Sequence, residues 1–136
     1  MAEKSFTLEI VTPRKVVFKG EVVSFSAPGV IGGFQVLYNH APMLAAIRIG
    51  EAKLRDLEGH EYCYAVSGGF VDVFKNHVTV LAETAERSDE IDVTRAEASK
   101  SRAEERLHKP APTIDQERAK SSLQRAINRL RLARRG

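Results

Sequence analysis

The chain has 136 residues, 43% of them hydrophobic and 29% charged, which suits one ordinary domain or a small domain with an appendage. Cys63 is the single cysteine, so an intramolecular disulfide is excluded and a reducing compartment is favoured. The net charge of +3 is unevenly spread: residues 1–84 carry eight Lys and Arg against nine Asp and Glu, and residues 85–136 carry thirteen against nine. We therefore expect any anionic partner at the C-terminal part.

The N-terminal sequence lacks the long apolar core and the cleavage site of a signal peptide. No stretch of the sequence approaches the ~20 apolar residues of a membrane span. These features predict a soluble, cytosolic protein that is still able to dock onto a membrane-bound assembly.

The first 84 residues are predicted to form short strands. Phe6, Leu8 and Ile10 alternate with other residues, the period-2 pattern of a half-buried strand. Segments rich in β-branched and aromatic residues predict further strands at 15–20, 21–27, 50–56, 61–67, 70–74 and 77–83. Turns are expected at Gly59 and at Lys75-Asn76. Short strands at this spacing predict a β-sandwich or flattened barrel.

Two glycine-containing segments interrupt this pattern. "SGGF" (67–70) is predicted to be a hairpin turn, because adjacent glycines allow positive φ. No Lys follows it and no helix opens there, so the context of a phosphate-binding loop is missing. The stretch 28–44 contains three glycines and two prolines and is expected to be mostly exposed loop with some short strand.

No catalytic residues are predicted in the β part. His40 invites a metal or catalytic interpretation, but the four histidines have no ligand spacing, so we expect no metal site. Neither a Ser-His-Asp arrangement nor a carboxylate pair can be assigned. Cys63 lies within an alternating strand and is predicted to be a small core residue, not a nucleophile.

The sequence changes character near Ser88-Asp89, where helices are predicted. Asp92 is expected to cap a first helix that ends near His108, because "HKPAP" cannot continue it. Thr113 and Gln116 predict a capping box at the start of a second helix.

The two predicted helices have unequal apolar faces. The second helix has a stripe of residues at spacings of three and four: Ala119, Leu123, Ala126, Ile127, Leu130 and Ala133. The first helix has only a narrow matching face: Val93, Ala96, Ser99, Ala103 and Leu107. An alanine-lined contact buries little area, so we expect an antiparallel hairpin that is weakly held and able to open.

Four arginines flank the predicted contact between the helices. Arg95 and Arg102 are two turns apart on the first helix, and Arg125 and Arg129 are one turn apart on the second. Arginine suits bidentate recognition of phosphate or carboxylate. A solvated basic face remains the simpler alternative. Nucleic-acid binding is disfavoured, because no aromatic residue follows Phe74 and acidic residues are interspersed.

Several segments together resemble a known family. "SFTLEIVTP", "NHAPML", "VSGGFVDV", "HVTVLAETAE", "IDVTRAEASKSRAEERL" and "LQRAINRL" occur in the order typical of the epsilon subunit of F-type ATP synthases. The resemblance implies a ten-stranded β-sandwich (1–86) that docks on the gamma subunit and the c-ring. It also implies a regulatory antiparallel two-helix hairpin (87–136) that extends toward the catalytic α/β head and inhibits ATP hydrolysis.

The resemblance also implies a regulatory ligand and a membrane location. ATP would bind the folded hairpin in some members, and no cofactor is required. The family's ATP-site positions correspond to Glu86, Ile91, Asp92, Arg95, Arg102, Arg125 and Arg129, with Ser99 where the pattern usually has Ala. The protein would lie peripherally on the cytoplasmic face of the cell's inner membrane, held there only through the complex.

The loop around His40 corresponds to the family's c-ring contact. It departs from the usual pattern, since Tyr38 stands where the family often has Pro and Asn39 precedes the histidine. The resemblance implies no nucleic-acid partner. The alternative from another class is a free-standing nucleotide-sensing or nucleic-acid-binding module with a basic hairpin.

Overall fold

The structure, a computed structural model, describes residues 4–135, which divide into two compact units between Arg87 and Ser88. The first unit contains seven strands: β1 Phe6–Val11, β2 Val16–Ala27, β3 Phe34–Val36, β4 Met43–Asp56, β5 Glu61–Phe74, β6 His77–Ala82 and β7 Ala85–Arg87. The second contains a 3₁₀ turn (Ser88–Glu90) and two helices, α1 (Val93–Leu107) and α2 (Thr113–Arg135). No helix within 4–135 is long and apolar enough to cross a membrane.

Five strands of the β unit close into a flattened barrel. β1 pairs antiparallel with β2 and parallel with β6, which joins the two ends of the order β2-β4-β5-β6. β3 adds to the end of β2, and β7 pairs with β5. Phe6, Leu8 and Ile10 are almost fully buried, which confirms the alternation expected for β1. They share one core with residues of β2, β4, β5 and β6.

The fold class is confirmed, but the count of ten strands is wrong, because seven are present among the described residues. The physical reason is that β2, β4 and β5 are 12, 14 and 14 residues long. Such a strand serves different neighbours along its length. β5, for example, pairs with β7 through residues 64–66 and with β6 through residues 69–74. Each of these long strands therefore counts once where the predicted fold had two shorter strands.

The "SGGF" segment is not a hairpin turn. Ser67 to Phe70 lie inside β5 and keep their pairing with β4, from Ser67↔Ile49 to Gly69↔Ile47. The expected positive φ is present, at 113° for Gly68 and 130° for Gly69. It serves a change of partner, since β5 pairs with β7 before this point and with β6 after it, and the Gly68 carbonyl accepts from the Glu83 N–H at 2.9 Å.

The segment 28–44 contains less loop than expected. It holds β3, and β4 begins at Met43, seven residues before the predicted strand start at Gly50. The first half of β4 was not predicted because "MLAAI" is rich in Met and Ala, which have little strand preference. Cross-strand bonds to β5 hold it extended, from Met43↔Val73 onward.

The turn joining β5 and β6 was predicted correctly and stores backbone strain. Lys75 and Asn76 have φ of 47° and 59°, the two positive values that a two-residue type I′ turn requires. This region costs an ordinary L-residue about 1–2 kcal/mol, whereas asparagine enters it readily.

Lys75→Asn is therefore expected to stabilise the β unit. The net gain should be about 0.5–1 kcal/mol, because relief of strain is offset by loss of the ammonium contact with the Phe74 ring, 5.3 Å from its centroid. Urea unfolding of wild type and variant measures the difference. An unchanged or lower free energy of unfolding would contradict the strain assigned to Lys75.

The helical unit is an antiparallel hairpin, as predicted. Glu97, near the start of α1, accepts from Arg134, near the end of α2, at 3.1 Å. α1 ends at Leu107 with His108 as its C-cap, also as predicted. The capping box at Thr113 is wrong: Pro112 supplies the first accepting carbonyl, and the Gln116 side chain donates to Lys109 O at 2.9 Å. Thr113 is already the first residue of α2, so the cap position falls one residue earlier, at Pro112.

Candidate functional site

The N-terminus of α1 is organised by Asp92. This residue has extended backbone angles (φ −78°, ψ 99°), and its Oδ1 accepts the Arg95 N–H at 3.0 Å, which confirms the predicted cap. Ile91, directly before it, is only 9% exposed. A carboxylate fixed in this way neutralises an otherwise unpaired backbone donor at the helix start. It also places one negative charge beside the first arginine of the candidate ATP site.

The arginines of the two helices are held in a similar manner. On α1, Arg102 Nη2 donates to Ser99 Oγ at 3.1 Å, and on α2, Arg125 Nη2 donates to Ser122 Oγ at 3.1 Å. In each pair the serine lies three residues earlier, so the guanidinium lies along its own helix. A guanidinium has five N–H donors, and one such bond leaves donors for an anion.

The seven predicted ATP-site residues fall in different parts of the structure. Arg95 and Arg102 are exposed on one face of α1, and Arg125 and Arg129 are half-buried on one face of α2. Glu86 lies in the β unit, on β7, paired with Ala65 of β5. The other six residues belong to the helical unit. Four guanidiniums on two adjoining helices supply donors and no acceptor, a chemistry that suits phosphate.

His40 lies in a second candidate site, the loop between β3 and β4. The His40 N–H donates to Leu37 O at 3.2 Å and closes a tight turn. The His40 ring places Nδ1 2.7 Å from Ala41 O. A carbonyl can only accept, so Nδ1 carries the proton in this contact. The contact orients the His40 ring within the loop.

Comparison with known families is decisive for both units. Residues 5–88 match the ATP synthase delta/epsilon chain β-sandwich domain, and residues 89–134 match the long α-helix domain of the same chain. The chain belongs to the ATP synthase epsilon chain family. Bacterial proteins named ATP synthase epsilon chain support this. That of Syntrophomonas wolfei is 47% identical over 131 residues, 96% of each chain. That of Bacillus licheniformis is 44% identical over 131 residues, 96% of this chain and 99% of that protein.

Solved structures share the fold of this epsilon family member. A chain of the Euglena gracilis mitochondrial ATP synthase (OSCP/F1/c-ring) aligns with a TM-score of 0.77 at 17% identity, covering 91% of this chain and 78% of that one. A chain of the Tetrahymena thermophila mitochondrial ATP synthase (central stalk/c-ring) aligns with a TM-score of 0.65 at 13% identity, covering 98% and 99%. The predicted family and fold class are thus confirmed.

Several contacts and buried positions of the helical unit were not predicted. Ser99 and Ser122 hold arginines, and the signal was a Ser-x-x-Arg spacing repeated on both helices. Leu132 and Asn128 are 1% and 7% exposed, although neither belongs to the predicted stripe. Ile127 was placed in that stripe but is 45% exposed, which is a correction. At 100° per residue, Ile127 lies at the margin of the face that contains Ala119, so part of its side chain meets solvent.

Proposed function

We propose that the chain is a non-catalytic central-stalk subunit of a proton-translocating F-type ATP synthase. It couples and assembles the rotor through the β unit and regulates ATP hydrolysis through the hairpin. The observation that carries this is the match of both units, in order, to one family, with relatives 44–47% identical over most of their length. The subunit would lie peripherally on the cytoplasmic face of the membrane.

The outer face of the β unit supports docking on the gamma subunit. One row of apolar residues crosses five strands, because each residue is the cross-strand partner of the next: Val16, Val11, Leu81, Phe70 and Ala46. Val16, Leu81 and Phe70 are each more than half exposed. A continuous exposed apolar row is typical of an interaction surface. In this proposal the row faces gamma.

The His40 loop supports docking on the c-ring. It carries the His40 ring, which is held by the Ala41 carbonyl, and two exposed apolar side chains, Leu37 (52%) and Tyr38 (39%). An apolar surface with one directed polar group gives both affinity and orientation. The solved structures with the same fold are chains of mitochondrial ATP synthase assemblies that include a c-ring.

The hairpin supports regulation because α1 contributes only two buried side chains, Ala96 and Ala103, although α2 also buries Leu130 and Leu132. Its most buried small residues are four alanines, each at most 2% exposed: Ala96, Ala103, Ala119 and Ala126. We call these the alanine seam. Each alanine buries far less area than a leucine, and the hydrophobic gain is ~25 cal/mol per Å². A hairpin held in this way can open and extend its basic residues toward the catalytic α/β head, where they block hydrolysis.

ATP is proposed as a regulatory ligand of the folded hairpin, bound through the guanidiniums of Arg95, Arg102, Arg125 and Arg129. The hydrogen bond to Ser99 holds the Arg102 side chain along its helix. Less side-chain conformational freedom is therefore lost when ATP binds. ATP shifts the hairpin toward the compact form only by the difference in its affinity for the two forms.

Three variants in the assembled enzyme test the regulatory role. Removing residues 89–136 should raise ATP hydrolysis several-fold without loss of assembly. Ala103→Leu overpacks the alanine seam at a cost of about 1–3 kcal/mol, roughly 5- to 150-fold in favour of opening, and should lower hydrolysis. Ala98→Leu is the matched control, because Ala98 is exposed on the same helix.

Opposite effects of truncation and overpacking are the diagnostic result. Inhibition through basic residues should also weaken as salt rises, since exposed charges are screened. Equal hydrolysis by wild type, the truncated chain and Ala103→Leu would leave the hairpin without an inhibitory role. A free-standing sensor is the competing function, and it would not co-purify with gamma and a membrane-bound ring.

A further inference from the structure

The strongest unexplained feature of the β unit is a reciprocal contact between two asparagines. The Asn39 N–H donates to Asn76 Oδ1 at 2.7 Å, and Asn76 Nδ2 donates to Asn39 Oδ1 at 2.9 Å. The two residues are 37 positions apart, one in the His40 loop and the other in the β5–β6 turn. We call this pair the asparagine clasp.

Both residues of the clasp have a left-handed backbone. Asn39 has φ 62° and Asn76 has φ 59°, a region where asparagine is among the few tolerated side chains. The positive φ at Asn39 lets the chain reverse before His40, whose N–H closes the turn on Leu37 O. Tyr38 has no ring closure to fix its own φ. The side-chain bonds of the clasp therefore supply the restraint that the turn lacks.

The clasp connects the loop to the barrel. Asn76 O accepts the N–H of Thr7, a β1 residue, at 3.0 Å. The side chain of Asn76 is thus carried by a turn fixed on one side by β5–β6 pairing and on the other by β1. Through Asn39, this framework reaches the residue directly before His40.

We propose that Asn39 and Asn76 are positioning residues that hold the His40 loop in its docking shape before a partner arrives. Pre-organisation of this kind raises affinity because less conformational freedom is lost on binding. The clasp restrains a loop that contains His40 and two exposed apolar side chains, Leu37 and Tyr38. The identity of the partner, a c-ring carrying gamma, rests on the proposed function.

Asn76→Gly is the decisive variant. Glycine keeps the positive φ of the turn and removes both clasp bonds. Lys75→Gly is the matched control, because it places glycine in the same turn, also at positive φ, and leaves the clasp intact. Asn39→Gly is intermediate, since its backbone N–H can still donate to Asn76 Oδ1.

Two measurements on the full-length chain test the effects of these variants. In the isolated protein, amide hydrogen exchange at Asn39 should be roughly tenfold faster in Asn76→Gly, because the hydrogen bond from the Asn39 N–H is lost. The exchange rate at Asn39 should be unchanged in Lys75→Gly. Affinity for purified c-ring carrying gamma should fall roughly fivefold or more in Asn76→Gly and less in Asn39→Gly. Lys75→Gly should bind as wild type does.

The outcomes separate the clasp from the partner. Unchanged exchange at Asn39 in Asn76→Gly would overturn the clasp as a restraint. Faster exchange with wild-type affinity for the ring would overturn its positioning role. Wild-type protein that binds neither gamma nor the ring would instead overturn the proposed function, while the exchange measurement would still decide whether the clasp orders the loop.

Discussion

Replacing Gly69 with alanine is expected to lower the free energy of unfolding of the β unit by roughly 3 kcal/mol or more. Gly69 has φ 130°, where a side chain is strained in any surroundings. An added Cβ would also overlap the carbonyl oxygen of Leu81 and lie 2.9 Å from Ala82 Cα. Both are backbone atoms of β6, so relief requires moving a strand of the barrel.

Two other glycines calibrate this prediction. Gly32→Ala should be nearly neutral, because no atom lies within 4 Å of its Cβ position and its φ lies outside the positive range that disfavours side chains. Gly68→Ala should fall between them, since φ is 113° but the nearest atom is on the Glu83 side chain, at 3.6 Å. Urea unfolding of the three variants ranks them. Gly69→Ala as stable as Gly32→Ala would contradict the overlap with β6.

Gly68 and Gly69 also show which features of the β unit could not be predicted from the sequence. Adjacent glycines indicate positive φ, and that was correct. Whether positive φ reverses the chain or lets a strand change partner depends on pairing with distant residues. Here Ile47 and Ile49 of β4 keep β5 extended through the glycines. Alternation predicted the core residues of β1, but strand number depended on contacts that no local pattern contains.

The helical unit was predicted more closely because its signals are local. A cap at Asp92 involves the amide three residues later, and the end of α1 follows from Pro110 and Pro112 nearby. The capping box at Thr113 was wrong for a local reason, since α2 begins at Thr113 and the Pro112 carbonyl accepts its first hydrogen bonds. Burial of Leu132 depends on a second face of α2, which a single-stripe interpretation leaves out.

The candidate sites also include features with local sequence signals and features that depend on contacts between distant residues. Arg95 and Arg102 share a face by helical spacing alone, so sequence was sufficient to group them. The asparagine clasp joins Asn39 to Asn76 across 37 residues, and neither residue carries a signal for the other. Each nevertheless carried a local one, because asparagine often occupies left-handed turns. The sequence therefore predicted the turn at Lys75-Asn76 and placed Asn39 only in an exposed loop, and the fold joined the two.

Removing Arg95 and Arg102 together is expected to weaken ATP binding to the isolated chain by a hundredfold or more. A guanidinium–phosphate hydrogen bond is charge-assisted and nets about 1.5–3 kcal/mol, so each lost contact corresponds to roughly tenfold or more in Kd. Asp92→Ala carries a further cost of about 1 kcal/mol in the compact hairpin, because the bond from Arg95 N–H is lost. Calorimetric titration with ATP measures these changes.

Lys100→Ala with Lys120→Ala is the control matched for charge. It removes two positive charges from the same hairpin, and each lysine lies five residues from a candidate arginine, about 140° around its helix. If binding depends only on the net charge of the hairpin, both double variants will weaken it equally. A much larger loss of ATP affinity in the arginine double variant than in the lysine double variant supports contacts from Arg95 and Arg102 to phosphate. Full binding after loss of Arg95 and Arg102 would refute the site, and absence of wild-type binding at millimolar ATP would leave the four arginines as a solvated basic face.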